Sequence, residues 1–257
     1  MILFLIASLV SFAPGPGVSG CTCYPYAFAD DAASCLYAPA GLVRIIGTEY
    51  AVYAAASDEN NNGIYAAAAT ESGSIHCGAG LGWTRSGSDP DTLDASVSIA
   101  RTLRGDPVGF MEGVFGPSIS VGASLGFALT DETEPLNMLS ASLGFQFSIF
   151  PTVAIGVNFS NLRIFGDKLR DREIGYGIST VFHRGFRGHF SVTESRPSFG
   201  FDLSVNDWLS VRTGSDGLSW NAGLSAYYRS LRVDWAVMLD NHDNRQVLGI
   251  SFSPGGF

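Results

Sequence analysis

The chain has 257 residues, enough for one barrel or one large β domain, and 24 Asp and Glu against 15 Lys and Arg give a net charge of −9. That acid surplus argues against nucleic acid as a partner, and after the N-terminus no run of about 18 apolar residues forms a membrane helix. Charged residues are 15% of the chain, Lys168 is the only lysine, and there are 31 Gly and 18 Phe; an average soluble domain carries about 25% charge, so a soluble fold would have few residues to cover its surface, a difficulty a lipid-facing barrel escapes.

Residues 1–20 read as an export signal. Positions 2–12 are an apolar run of h-region length, ended abruptly by Pro14 and Pro16, and small residues follow to Gly20. Val18-Ser19-Gly20-Cys21 resembles a bacterial lipobox, which makes Cys21 the candidate lipidation site. Ordinary cleavage nearby is the alternative, and Cys23 and Cys35 are then candidates to pair in an oxidising periplasm. Cys77 falls at an outward strand position and reads as a small apolar residue. The four cysteines have no metal-site spacing and no catalytic histidine pattern around them, and no cofactor motif occurs.

Residues 21–42 contain Pro25 and Pro39 and show no clean period. After them come about fourteen candidate strands. These are 44–54, 63–70, 75–83, 93–101, 118–129, 138–150, 152–160, 173–182, 186–193, 198–205, 208–213, 218–228, 231–240 and 246–253. Most exceed the average soluble strand of about five or six residues and suit the roughly 9–11 that a tilted strand needs to cross a bilayer. Odd-numbered connections are mostly long and polar, even-numbered ones mostly tight, the asymmetry of an outer-membrane barrel with loops outside and turns in the periplasm. Both termini are then periplasmic. Segment 102–117 departs from this scheme, being far too long for a periplasmic turn.

Period-two alternation sorts the faces. Ile119, Val121, Ala123, Leu125, Phe127 and Leu129 point one way, and Ser118, Ser120, Gly122, Ser124, Gly126 and Ala128 the other. Such small inward residues cannot fill a fourteen-stranded lumen, so either water or the N-terminal segment must occupy it. Inward charges cluster late, at Arg187, His189, Asp202, Arg212, Arg232 and Asp234. They either line a substrate path or form an ion-pair network between strands. No catalytic Ser-His-Asp arrangement or carboxylate pair stands out, and an enzyme is not expected.

Three stretches resemble the FadL-like outer-membrane barrels, in particular the branch containing the PorV and PorQ proteins of Bacteroidota-type bacteria. Ala38-Pro39-Ala40-Gly41-Leu42 looks like the Asn-Pro-Ala-Gly-Leu motif that opens the family's hatch, with Tyr37-Ala38 in place of the usual Asn. Residues 207–214, Asp-Trp-Leu-Ser-Val-Arg-Thr-Gly, look like a family strand opening, and 231–237 followed by 248–252 look like its last two strands. The resemblance implies an all-β, transmembrane antiparallel barrel over 44–257 and a hatch or plug over 21–43, with Pro39, Ala40, Gly41 and Leu42 as its motif. Phe257, or Phe252 in its place, is similar to the C-terminal signal read by barrel-insertion machinery.

The family includes fatty-acid transporters and secretion-system shuttles. The first reading is therefore an outer-membrane barrel of a Gram-negative-type bacterium, surrounded by outer-membrane lipid, that passes a hydrophobic or small solute. The second is a non-conducting barrel that binds partners such as secretion-system proteins. The third is a secreted soluble β-sandwich adhesin.

Overall fold

The computed structural model describes residues 31–58, 62–85, 91–105, 117–131, 137–150, 152–166, 171–183, 185–193, 196–215, 217, 219–239 and 244–256. The described chain starts with a short helix, α1 (Ser34–Tyr37), and a 3-10 turn (Pro39–Arg44), where Pro39 presets the backbone of the first position. Fourteen strands follow. They are β1 (Thr48–Ser57), β2 (Asn62–Ser72), β3 (Ile75–Arg85), β4 (Thr92–Gly105), β5 (Ser118–Thr130), β6 (Asn137–Phe150) and β7 (Val153–Gly166), then β8 (Glu173–His183), β9 (Phe186–Thr193), β10 (Arg196–Asn206), β11 (Leu209–Ser215), β12 (Trp220–Tyr228), β13 (Leu231–Leu239) and β14 (Arg245–Phe252).

Each strand pairs antiparallel with its neighbours in sequence, and β1 closes on β14 from Tyr50↔Phe252 to Ser57↔Arg245. A closed ring leaves no unpaired edge, the condition for crossing a bilayer with strands. The sandwich is thereby overturned: two stacked sheets do not join first strand to last in one continuous ladder.

Exposure follows the period-two pattern. In β1 the burial alternates residue by residue, and Tyr50 and Val52 are exposed while Ala51 and Tyr53 are buried. Around the ring Leu81, Val97, Leu125, Leu143, Leu224 and Leu248 face outward. Aromatic residues gather at both rims: Phe150, Phe182, Trp208 and Tyr228 by the tight turns, and Trp83, Phe165 and Trp220 at the opposite end. Such girdles sit at the two membrane–water interfaces. This is a transmembrane β-barrel.

Three boundaries differ from the sequence expectation by four residues or more. β1 begins at Thr48 rather than 44, because the 3-10 turn runs through Arg44. β7 continues to Gly166, where a loop was expected from 161. Register shifts between Leu139/Ser140 and Ala141/Leu143, with Asn161 at φ 55°, interrupt its alternation there, so the residues stop reading as a strand while still pairing as one. β4 likewise runs past a shift between Thr102 and Arg104 to Gly105. The rest of the long fourth connection, 106–116, lies outside the described residues, as do Lys168 and Phe257.

Leu125→Arg puts a charge on the outward face near mid-wall and should cost about 2–4 kcal/mol of folding free energy in lipid vesicles. A denaturant titration that finds no loss would contradict the lipid-facing assignment of that face.

Candidate functional site

The candidate site is the lumen, and its inner wall has three distinct arcs. The first runs over β3–β6, whose inward residues are mostly Gly or small polar side chains. Residues 31–45 lie against this arc, inside the barrel. Leu42 and Cys35 are fully buried there. A Cβ at Gly78 would press on Cys35 and Leu42, one at Gly80 on Leu36, and one at Gly122 would overlap the Ala40 amide and the Pro39 carbonyl carbon. The small residues are therefore the seat of the segment, since larger side chains would exclude it. Polar contacts with the wall help to fix it. Ser98 Oγ donates to the Cys35 carbonyl (2.6 Å), Asn158 Nδ2 donates to the Tyr37 carbonyl (2.8 Å), and Arg44 Nε donates to Gln146 Oε1 (3.1 Å). At Gly47 the chain turns out of the lumen into β1 with φ 70°, a conformation that favours glycine.

The second arc, on β1, β2, β13 and β14, is apolar. Ala51, Tyr53, Ala55, Tyr65, Ala67, Ala69, Ala236 and Val247 are buried inward and form one cluster with Cys35, Leu42 and Val43 of the N-terminal segment. A porin lumen is polar; the wall at these positions is not.

The third arc is a belt of alternating charge on β9–β14 and β1. Arg187 on β9 bonds Asp202 on β10, which also pairs at 3.8 Å with Arg212 on β11. Arg212 donates to Ser225 on β12, and Ser225 donates to Asp234 on β13. Arg232 donates to Asp234 at 2.9 Å, to Ser251 on β14 at 3.1 Å and to Glu49 on β1 at 3.2 Å. Three arginines, Arg187, Arg212 and Arg232, balance Asp202, Asp234 and Glu49, so the belt is neutral. A buried ion pair adds little stability over apolar packing, but removing one partner strands the other. The belt also fixes register: a one-residue slip would turn these charges toward lipid.

The structure places all six sequence-nominated lumen residues on the inner face, with only Arg187 appreciably exposed. His189 lies beside them and its Nδ1 is 2.8 Å from Ser179 Oγ. Ser179, His189 and Asp202 thus sit on three consecutive strands, but the Asp202 carboxylate is engaged by Arg187 and Arg212, and all three side chains are buried. The arrangement is a polar network inside the wall. Of the motif Pro39, Ala40, Gly41 and Leu42, Pro39 and Ala40 are seated against β5 and β6, and Leu42 against β3. Cys21 and Cys23 lie outside the described residues. Cys35 is a free thiol, which burial, with the Asp31 charge adding, pushes up to about 12, so it stays protonated and unreactive. Glu49, Ser225 and Ser179 were not singled out from sequence, nor was Asn158 as a contact of the N-terminal segment. Glu49 was recoverable, since it shares the inward parity of Ala51 and Tyr53; the others are ordinary small or polar residues whose partners are distant in the chain.

No protein-family model matches the chain, and no curated protein matches its sequence. Among solved structures it is similar to the monoaromatic hydrocarbon channel CymD, with TM-score 0.67 and 13% identity over 95% of this chain and 97% of that one. The toluene transporter TbuX of Ralstonia pickettii matches with TM-score 0.64 and 12% identity over 93% and 98%. A deltaS2 mutant of TodX, a monoaromatic hydrocarbon channel, matches at 0.64 and 9% over 95% and 99%. At these identities the shared property is the fold.

Asp234→Ala leaves Arg212 and Arg232 without their shared carboxylate and should cost about 3–5 kcal/mol. Arg187→Gln, at the more exposed end of the belt, should cost about 1 kcal/mol or less. Urea unfolding in vesicles measures both, and equal losses would contradict a coupled buried belt.

Proposed function

We propose that this chain is a FadL-like barrel of a Gram-negative-type outer membrane that passes a small hydrophobic solute, with the N-terminal segment as a displaceable hatch. The observation that carries this reading is the apolar arc. Alanine and tyrosine side chains facing a lumen favour an apolar solute over an ion or sugar, because a polar solute would lose its water there without gaining partners. The hydrocarbon channels and transporters that share the fold support the same solute class. The β2–β3 ladder beside the segment runs without a register shift, so the wall there stays paired. The passage is therefore along the lumen, opened when residues 31–45 leave their seat and swing about Gly47. The tight turns and both termini face the periplasm, and residues 1–20 are removed on export, with Cys21 near the new start.

A second reading is a non-conducting barrel of the PorV or PorQ kind that binds secretion-system proteins at its surface. The complete burial of Asp202, Asp234 and Ser225 in the belt favours it, since those groups are closed off from solvent.

Expression in a bacterial host without hydrocarbon channels should raise uptake of labelled toluene, and Ala67→Asp, which puts a charge in the apolar arc, should lower it about tenfold. The unboiled gel shift of a folded barrel controls for assembly. A folded barrel that gives no rise over the empty host would overturn passage and leave the second reading.

A further inference from the structure

The outer face of the same wall carries a feature that solute passage does not use. On β1–β6 the outward residues form an apolar groove of about 730 Å³, with a floor of Ala66, Ala68, Ala79 and Ala95 between Tyr50 and Phe127. Ala68 faces Ala79 in register, Ala66 lies two residues along β2, and Ala95 lies diagonally from Ala79 across β4, where it faces Leu81. The floor is low because four adjacent outward positions hold a methyl group where most of the barrel holds Leu, Ile, Phe or Val. In a bilayer such a groove cannot stand empty.

Two arginines lie in line with it. Arg101 is exposed on β4 and pairs in register with Ile75 and Val121, both outward. It stands four residues beyond Val97, about 13 Å toward the tight-turn end. Arg104 would face inward in an unbroken strand. The register shift between Thr102 and Arg104 sets it opposite outward-facing Ile119 instead. Bulges re-aim side chains in this way. Both guanidiniums therefore project from the lipid face at the depth of the rim, and neither makes an ion pair among the described residues.

We propose that this face holds one phospholipid, its phosphate between Arg101 and Arg104 and an acyl chain in the alanine groove. The spacing fits the molecule: the charge is at the interface, and the trough begins about 13 Å toward mid-membrane, beyond outward-facing Ile99. A guanidinium pair is suited to a phosphate, and each basic residue near an anionic surface contributes about 1 kcal/mol of attraction. A second copy of the chain is the less favourable occupant. A two-fold contact through this face would bring two pairs of like charges to one seam.

The test is native mass spectrometry of the full barrel released from phosphatidylglycerol-containing nanodiscs, with toluene uptake measured in parallel. One phosphatidylglycerol should be retained per chain. Arg101→Gln and Arg104→Gln should each lower retention about fivefold. Ala79→Leu, which fills the floor, should lower it with both arginines present, and uptake and the unboiled gel shift should be unchanged in all three. Three results would overturn the proposal. They are equal retention by wild type and all variants, retention lost with the arginines but indifferent to Ala79→Leu (a phosphate contact only), and a dimer that Ala79→Leu disrupts.

Discussion

Inside a bilayer no water is available to a peptide group, so every N–H and C=O on a spanning strand must find a partner in the protein. The β1–β14 ladder meets that demand, and most of the structure follows from it. Closing the ring sends alternate residues to lipid and to the lumen, so each strand needs an apolar set and a second set of different character. It also encloses more volume than small residues can fill. The chain has three solutions around one circumference: a seat of glycine and serine filled by residues 31–45, an apolar arc, and a belt of compensated charge.

The seat and the belt are opposite answers to the same packing problem. On β3–β6, removing side chains lets main chain approach main chain, as where Ala40 lies on Gly122. On β9–β13, long side chains reach across strands, and Arg232 spans from β13 to Glu49 beside the closure seam. The wall holds the segment by hydrogen bonds such as those from Ser98 and Asn158 and by apolar contact, whereas the belt couples strands to one another. The separately seated segment lies on the first arc, and the side chains that keep the ring in register lie on the third.

The barrel was legible in the sequence because period two is a local signal repeated along the chain. β5 and β9 read directly from the alternation of residues such as Leu125 with Ser124 and Phe190 with His189. The pattern was lost where a bulge shifts parity, at Asn161 in β7 and Thr102 in β4. It also misjudged β1, since Arg44 belongs to a turn whose proline and glycine read equally well as a loop. The inward charges were legible one at a time, but their pairing was not. Arg232 and Glu49 are 183 residues apart, and Ser225 is one serine among many until Arg212 and Asp234 are placed on either side of it. The seating of the N-terminal segment was available only as one of two ways to fill a lumen of small residues.

The most direct test locks the segment in place. The Ala40 Cβ lies 3.2 Å from where a Cβ at Gly144 would stand, a few tenths short of the roughly 3.5–4.5 Å across a disulfide. Ala40→Cys with Gly144→Cys, in a background with Cys35 and Cys77 replaced by alanine, should therefore cross-link on oxidation. If the segment is a hatch, the oxidised barrel stops taking up toluene and recovers when the disulfide is reduced. Unchanged uptake by a fully cross-linked barrel would show that residues 31–45 stay seated during passage, and the account of a displaceable hatch would be wrong.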